Sequence, residues 1–194
     1  LLAGLTGILS GAILARWLSG LIGKRRLVAW ALLGGITGNV GPVLLRLLGL
    51  MPENGSGLLY SILFVDVLVT FCLATMTSIM ITSMMNDVVE DVEVTTGRRS
   101  EGVLMAADSL FRKMVASVGI FVSGITLTLI EFPRQAARGS VPPEVVAKLA
   151  YGYVPVTILY LTAFYLLSFY KIDRQSHAAN LSILKKRAEG TAES

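Results

Sequence analysis

Five apolar blocks, each long enough to cross a bilayer, constrain this chain more than any other feature. They lie at residues 1–22, 27–50, 57–85, 102–130 and 146–170. A helix needs ~20 mostly apolar residues to span the hydrocarbon, where only internal hydrogen bonds satisfy the backbone. Met51-Pro52-Glu53-Asn54-Gly55-Ser56 is a turn sequence between the second and third blocks. Phe132-Pro133 and Pro142-Pro143 stop one helix and start the next. The predicted fold is all-α: a polytopic membrane protein of five transmembrane helices in residues 1–170. A tail follows at 171–194. Its Leu181, Ile183 and Leu184 among Lys and Arg predict a short amphipathic helix, and residues 188–194 are expected to be disordered.

Composition agrees. Of the residues, 54% are hydrophobic and 15% charged, and the mean hydropathy is +0.69. The net charge of +4 does not indicate nucleic acid, because the basic residues sit in short clusters between apolar blocks. Ten of the 17 basic residues fall on one side, in Lys24-Arg25-Arg26, Arg98-Arg99 and the tail. Four (Arg46, Arg134, Arg138 and Lys148) fall on the other. By the positive-inside rule the richer side and the C-terminus face the cytoplasm, in a plasma (inner) membrane. One cysteine, Cys72, and one histidine, His177, leave no cysteine- or histidine-based metal site. The chain begins inside an apolar run, which reads as a cut through a longer protein.

Ionisable groups inside the apolar blocks need an explanation, since lipid-buried charge is costly. Asp108, Arg112 and Lys113 lie in the fourth block. Counted from Gly102, Lys113 falls about 16 Å along a helix, near the middle of the hydrocarbon. Asp108 and Arg112 share a face at i, i+4. Asp66 lies about 14 Å along the third block from Gly57. These four are the candidate substrate or ion cavity, and an inter-helix ion-pair network is the plainer alternative. Thr70, Thr75, Thr77 and Ser78 follow Asp66 and are expected to bond back to their own helix. Met76, Met80, Met84 and Met85 read as packing. Gly7-x-x-x-Gly11 and Gly34-x-x-x-Gly38 predict closely packed helices.

The most specific stretch is Asn86-Asp87-Val88-Val89-Glu90-Asp91-Val92-Glu93-Val94-Thr95-Thr96-Gly97-Arg98-Arg99-Ser100-Glu101. Acidic residues end the third helix, Gly97 allows a turn, and Ser100 can cap the fourth helix. Opposite charges on adjacent helix ends make a latch that holds in one state and parts in another. With Lys113, the spacing of Asp87, Glu90, Glu93, Gly97, Arg99 and Glu101 resembles the glycoside–pentoside–hexuronide:cation symporters, the melibiose-carrier branch of the major facilitator superfamily. The tail Tyr170-x-Ile172-Asp173-Arg174-x-x-His177-x-x-Asn180-Leu181 and the basic Gly23-Lys24-Arg25-Arg26 are also similar to that family.

The resemblance implies that the five helices are the eighth to twelfth of a twelve-helix carrier. It implies a midplane cavity between two bundles, with alternating access and Lys113 at the cavity. It implies a cytoplasmic gate of Asp87, Glu90, Glu93, Gly97, Arg99 and Glu101 with Lys24, Arg25 and Arg26. The coupling cation, Na⁺ or H⁺, would be held mainly by the N-terminal helices of the same carrier, which this chain lacks. No other cofactor or metal is implied. The partners would be membrane lipid, those helices and a small solute. Ser78 stands where sugar carriers of the family place an aromatic residue, and Asp108 and Arg112 add charge. Both widen the solute class from sugars to charged or amphipathic molecules. Two other readings exist. Asn86-Asp87-x-x-Glu90-x-x-Glu93 is similar to the Mg²⁺ motif of membrane prenyltransferases, but no second acidic motif appears. A non-transporting scaffold would not need charges at membrane depth.

Overall fold

The computed structural model describes residues 1–98, 100–133, 141–153, 155–172 and 174–192. Among them are seven α-helices and no strand. They are α1 (Leu2–Ile22), α2 (Lys24–Leu47), α3 (Gly57–Thr96), α4 (Glu101–Leu129), α5 (Pro143–Tyr153), α6 (Val156–Leu167) and α7 (Arg174–Ala192). α1 to α4, and α5 with α6 as one span, are long and apolar enough to cross a membrane.

The helix ends show local chemistry overriding the apolar pattern. α1 and α2 are joined by Gly23 alone, at φ 88°, a backbone conformation that favours glycine. Lys24, Arg25 and Arg26 therefore form the first turn of α2, where a loop reading had placed them between helices. α2 ends three residues before the apolar block does. Gly49, at φ 72°, stops it, and Leu50 N–H returns to the Leu45 carbonyl at 2.9 Å. α3 begins at a cap, with Ser56 Oγ accepting from Leu59 N–H at 3.2 Å. It then runs past the end of its apolar block at 85 to Thr96. Gly97 ends it in the left-handed conformation, its N–H on the Glu93 carbonyl at 2.9 Å. The fifth block holds two helices among the described residues. α5 ends at Tyr153 and α6 starts at Val156, and Val154 between them lies outside the described residues. The tail helix is not short. It reaches Ala192, through most of the stretch expected to be disordered.

Packing centres on α3. The buried residues of α1 are Ala3, Gly7, Gly11 and Ala15, a stripe of small side chains every fourth residue. On α3, Cys72, Met76, Met80 and Met84 are buried with the same period. A Cβ added at Gly7 would lie 2.5 Å from the Leu68 carbonyl oxygen, and one at Gly11 2.5 Å from that of Cys72. The backbones thus approach as closely as side chains permit. Lipid gives little hydrophobic drive for helices to associate, so close van der Waals contact does the work. α2 meets α3 through a side chain instead, since a Cβ at Gly34 would lie 2.6 Å from Leu73 Cδ1. Ala15, Leu27, Val28, Cys72, Met76, Met80 and Met84 form one buried cluster toward the Gly23 end, with Leu167 and Tyr170 against it. α4 buries no residue. It exposes Phe111, Val115, Ile120 and Phe121.

Overpacking a well-filled interface costs about 1–3 kcal/mol. Gly7→Val and Gly11→Val should each lower the thermal unfolding midpoint in detergent. Gly20→Ala should not, because no atom lies within 4 Å of the added Cβ. Equal midpoints for the three variants would refute the close-approach interface.

Candidate functional site

Two polar features interrupt the apolar bundle, both on α3. The first is a cavity of about 690 Å³ between α2 and α3, lined by Gly34, Thr37, Gly38, Ser61, Ile62, Val65, Asp66, Val69 and Leu73. Asp66 is its one ionisable residue. Among the described residues, the Asp66 carboxylate has no ion pair or hydrogen bond. Thr37 donates to the Leu33 carbonyl at 3.2 Å and Ser61 to that of Gly57 at 3.1 Å. Their hydrogens are spent on their own helices, as hydroxyls in helices often are. Thr70 Oγ1 differs, being buried without a hydrogen-bond partner. Gly38 gives access, for a Cβ there would lie 2.5 Å from Thr70 Oγ1 and 3.5 Å from Asp66 Oδ1. On the same turn, Pro42 has no N–H to offer the Gly38 carbonyl. The cavity therefore presents a carboxylate without a partner among the described residues, and the oxygens of Thr37 and Ser61, against apolar walls. Such a site suits a cation, a proton or the hydroxyls of a solute.

The second feature lies at the Gly23 end. Asp87 is buried, its side chain 5% exposed. Lys24 Nζ donates to both its oxygens, at 2.7 and 2.8 Å. Tyr170 OH donates to Oδ2 at 2.7 Å. Burial raises the Tyr170 phenol above its ordinary range, and the hydrogen bond and charge of Asp87 raise it further. The hydroxyl thus stays protonated and remains a donor. Lys24 stands in the first turn of α2, where the helix dipole disfavours a cation. Asp87 offsets that cost. α7 closes the cluster from the other side. His177 Nδ1 lies 3.0 Å from Glu90 Oε2 and 3.4 Å from Asp87 Oδ1. Asn180 Nδ2 donates to Asp91 Oδ1 at 2.9 Å. One helix end, α3, is thereby bound to the start of α2, to the chain after α6 and to α7.

Asp87, Glu90 and His177 bring three donor atoms within 4.8 Å of one another, a spacing that a divalent ion can use. The charge does not fit. The Lys24 ammonium already occupies both oxygens of Asp87, and a dication beside it would meet strong repulsion.

The other sequence candidates are distributed as follows. Arg112 Nε pairs with Asp108 Oδ2 at 2.7 Å on α4, with Arg112 52% exposed. Lys113 Nζ has no partner among the described residues, and its carbonyl accepts from Ser117 Oγ at 2.9 Å. No α4 residue lines the Asp66 cavity, so Asp66 is not joined to Asp108, Arg112 or Lys113. Arg25 Nη2 reaches the Ser168 carbonyl at 3.4 Å, and Arg26 is exposed. Glu93 supplies the carbonyl that caps α3, and Glu101 opens α4. Arg99 lies outside the described residues. Tyr170, His177 and Asn180 were not picked out as partners of the acidic motif. Their signal was a matching spacing: His177 and Asn180 at i, i+3 on α7 face Asp87, Glu90 and Asp91 at i, i+3, i+4 on α3.

Comparison with known proteins gives one match. A family model described as MFS/sugar transport protein matches residues 1–174. No curated protein and no solved structure matches the chain.

Removing one member of a buried ion pair leaves the other charge uncompensated, at a cost of about 3–5 kcal/mol. Lys24 keeps 31% exposure, so Lys24→Ala should fall at or below about 3 kcal/mol. Lys24→Ala should lower the unfolding midpoint clearly, and adding Asp87→Asn should restore much of it. A double variant no more stable than Lys24→Ala would show that the charge at Asp87 is not what Lys24 answers.

Proposed function

The chain belongs to the family of MFS/sugar transport proteins, and on that premise we propose that it forms part of a cation-coupled secondary transporter of the glycoside–pentoside–hexuronide type. Its helices correspond to the eighth to twelfth of a twelve-helix carrier, with the Lys24 end and α7 at the cytoplasmic face. It is an integral membrane protein of a solute-transport family, as its five apolar spans and the match over residues 1–174 require. The observation that carries the finer reading is Asp66, a carboxylate without an ion partner, on the wall of a cavity within an apolar span.

Membrane-depth carboxylates mark ion and proton paths, because the cost of keeping them there is recovered only when a cation visits. Asp66 accepts the coupling cation or proton, and Thr37 and Ser61 offer oxygens beside it. The cavity volume suits a small solute. The Asp87 cluster acts as the cytoplasmic gate, a set of charge pairs on helix ends that come together when that side is closed. Lys113 and the Asp108–Arg112 pair stand on the helix that buries least, where a second bundle would meet them. A sugar, or another small or amphipathic solute, fits equally. A Mg²⁺-dependent prenyltransferase would need Asp87 open to a metal diphosphate, and Lys24 and Tyr170 hold it instead.

The test is uptake by the full-length protein in proteoliposomes under imposed Na⁺ or H⁺ gradients. Losing a charge-assisted contact of about 1.5–3 kcal/mol corresponds to about tenfold or more. Asp66→Asn should reduce gradient-driven accumulation by that factor while sparing solute exchange more. Full accumulation by Asp66→Asn would remove Asp66 from the coupling site.

A further inference from the structure

The Asp66 cavity has hydrogen-bond acceptors on its wall and, among the described residues, no free donor. Of the residues that line it, Thr37, Ser61 and Asp66 carry polar side chains. Each hydroxyl has one hydrogen, and both are given to helix carbonyls, by Thr37 to Leu33 at 3.2 Å and by Ser61 to Gly57 at 3.1 Å. Their oxygens remain as acceptors, and an ionised carboxylate only accepts. The backbone N–H groups of the lining residues lie inside α2 and α3, where the helix ladder engages them. Pro42 leaves the Gly38 carbonyl without its usual partner. The nearby Thr70 hydroxyl makes no hydrogen bond, but it is shut off from solvent and Thr70 does not line the cavity.

Such a wall sorts ligands by head group. Volume alone, about 690 Å³, admits sugars and amphiphiles alike. A sugar hydroxyl can donate to these oxygens, but its own lone pairs then find no donor on the wall, and an unmatched buried polar group is costly. An anion is repelled by the Asp66 carboxylate. A hydrated metal ion leaves the apolar part of the wall unused. An ammonium group has donors and no acceptor, and its charge answers Asp66. The apolar part has a shape to match. Ile62, Val65, Val69 and Leu73 follow one face of α3 at three- and four-residue steps. Their stripe is about 16 Å long at ~1.5 Å per residue. Asp66 lies within it, with apolar side chains on either side.

We propose that the Asp66 cavity binds an organic ammonium, its N–H-bearing head on Asp66 beside the Thr37 and Ser61 oxygens and its apolar body along the stripe from Ile62 to Leu73. One carboxylate takes one cation at a time, so an amine of this kind displaces the coupling cation or proton from Asp66. Only that consequence rests on the transport reading. The binding itself needs no gradient.

The experiment is titration calorimetry of the full-length protein in lipid nanodiscs, with protein-free nanodiscs as the blank. The probes share a phenylalkyl body and differ in head group: phenylpropylammonium, its trimethylated derivative, phenylpropanol and phenylpropanoate. At neutral pH an alkylamine is charged, as the lysine side chain is. The ammonium should bind more tightly than the alcohol by about tenfold or more. The trimethylated derivative keeps the charge without the N–H groups and should fall between them, and the carboxylate should bind most weakly. Asp66→Asn should bring the ammonium down to the affinity of the alcohol, while Asp66→Glu should keep the preference. Equal affinities for ammonium and alcohol, a trimethylated derivative as tight as the ammonium, or a preference that survives Asp66→Asn would overturn the proposal. Failed uptake under an imposed ion gradient would count against the transport reading alone.

Discussion

A buried carboxylate at the end of a long helix dictates much of how the rest of this chain is arranged. Asp87 sits where the apolar blocks end, inside protein and with almost no exposure. Left alone it would be costly, since desolvating a charge outweighs most single interactions. Three separate parts of the chain supply its compensation. α2 must begin at Lys24, directly after a one-residue glycine link, for the ammonium to reach both oxygens. The chain must return after α6 for Tyr170 to donate, and α7 must fold back for His177 to approach. One charge thus ties four segments at one end of the bundle. The same constraint explains the unusual first turn of α2, whose cations face the positive end of the helix dipole.

The rest of the cohesion comes from shape. Ala3, Gly7, Gly11 and Ala15 form a groove on α1 that lets α3 come close, with Gly7 against Leu68 to Cys72 and Gly11 against Cys72 to Thr75. Four-residue rows on two helices interdigitate as ridges in grooves. Methionine suits such a seam because its flexible side chain fills irregular gaps. α4 has no stripe of this kind toward α3, and its large apolar residues point outward. The bundle is therefore tight around α1, α2 and α3, and open at α4.

The legible part of this structure is what depends on local pattern. Five apolar spans, the glycine pairs and the methionine stripe follow from hydropathy and spacing. What was hidden depends on where the chain returns in space. Ala3 and Ala15 extend the small-residue stripe, but alanine is too common to mark it. α3 continues past its apolar block because acidic residues sustain a helix as well as apolar ones when other segments neutralise them. Opposite charges on neighbouring helix ends are visible in the sequence, but which cation meets which carboxylate is not. His177 could be linked to Glu90 only by knowing that α7 doubles back. In the cavity, Asp66 could be singled out from its apolar surroundings, but only the packing of Gly38 against Thr70 places a hollow beside it.

The two carboxylates of α3 have opposite circumstances, and one helix carries both. Asp66 and Asp87 are 21 positions apart, about 32 Å along a continuous helix. Asp87 is saturated with donors, while Asp66 has none among the described residues. No proline and no mid-helix glycine interrupts α3 between them, so the segment has no hinge of the usual kinds. A tilt that loosens Lys24 and Tyr170 from Asp87 must therefore also shift the wall on which Asp66 stands. Coupling between a cation site and a gate needs two arrangements of one element biased from both ends. On the transport reading proposed above, α3, with Asp66 at its cavity and Asp87 at its tip, is the element that would provide them.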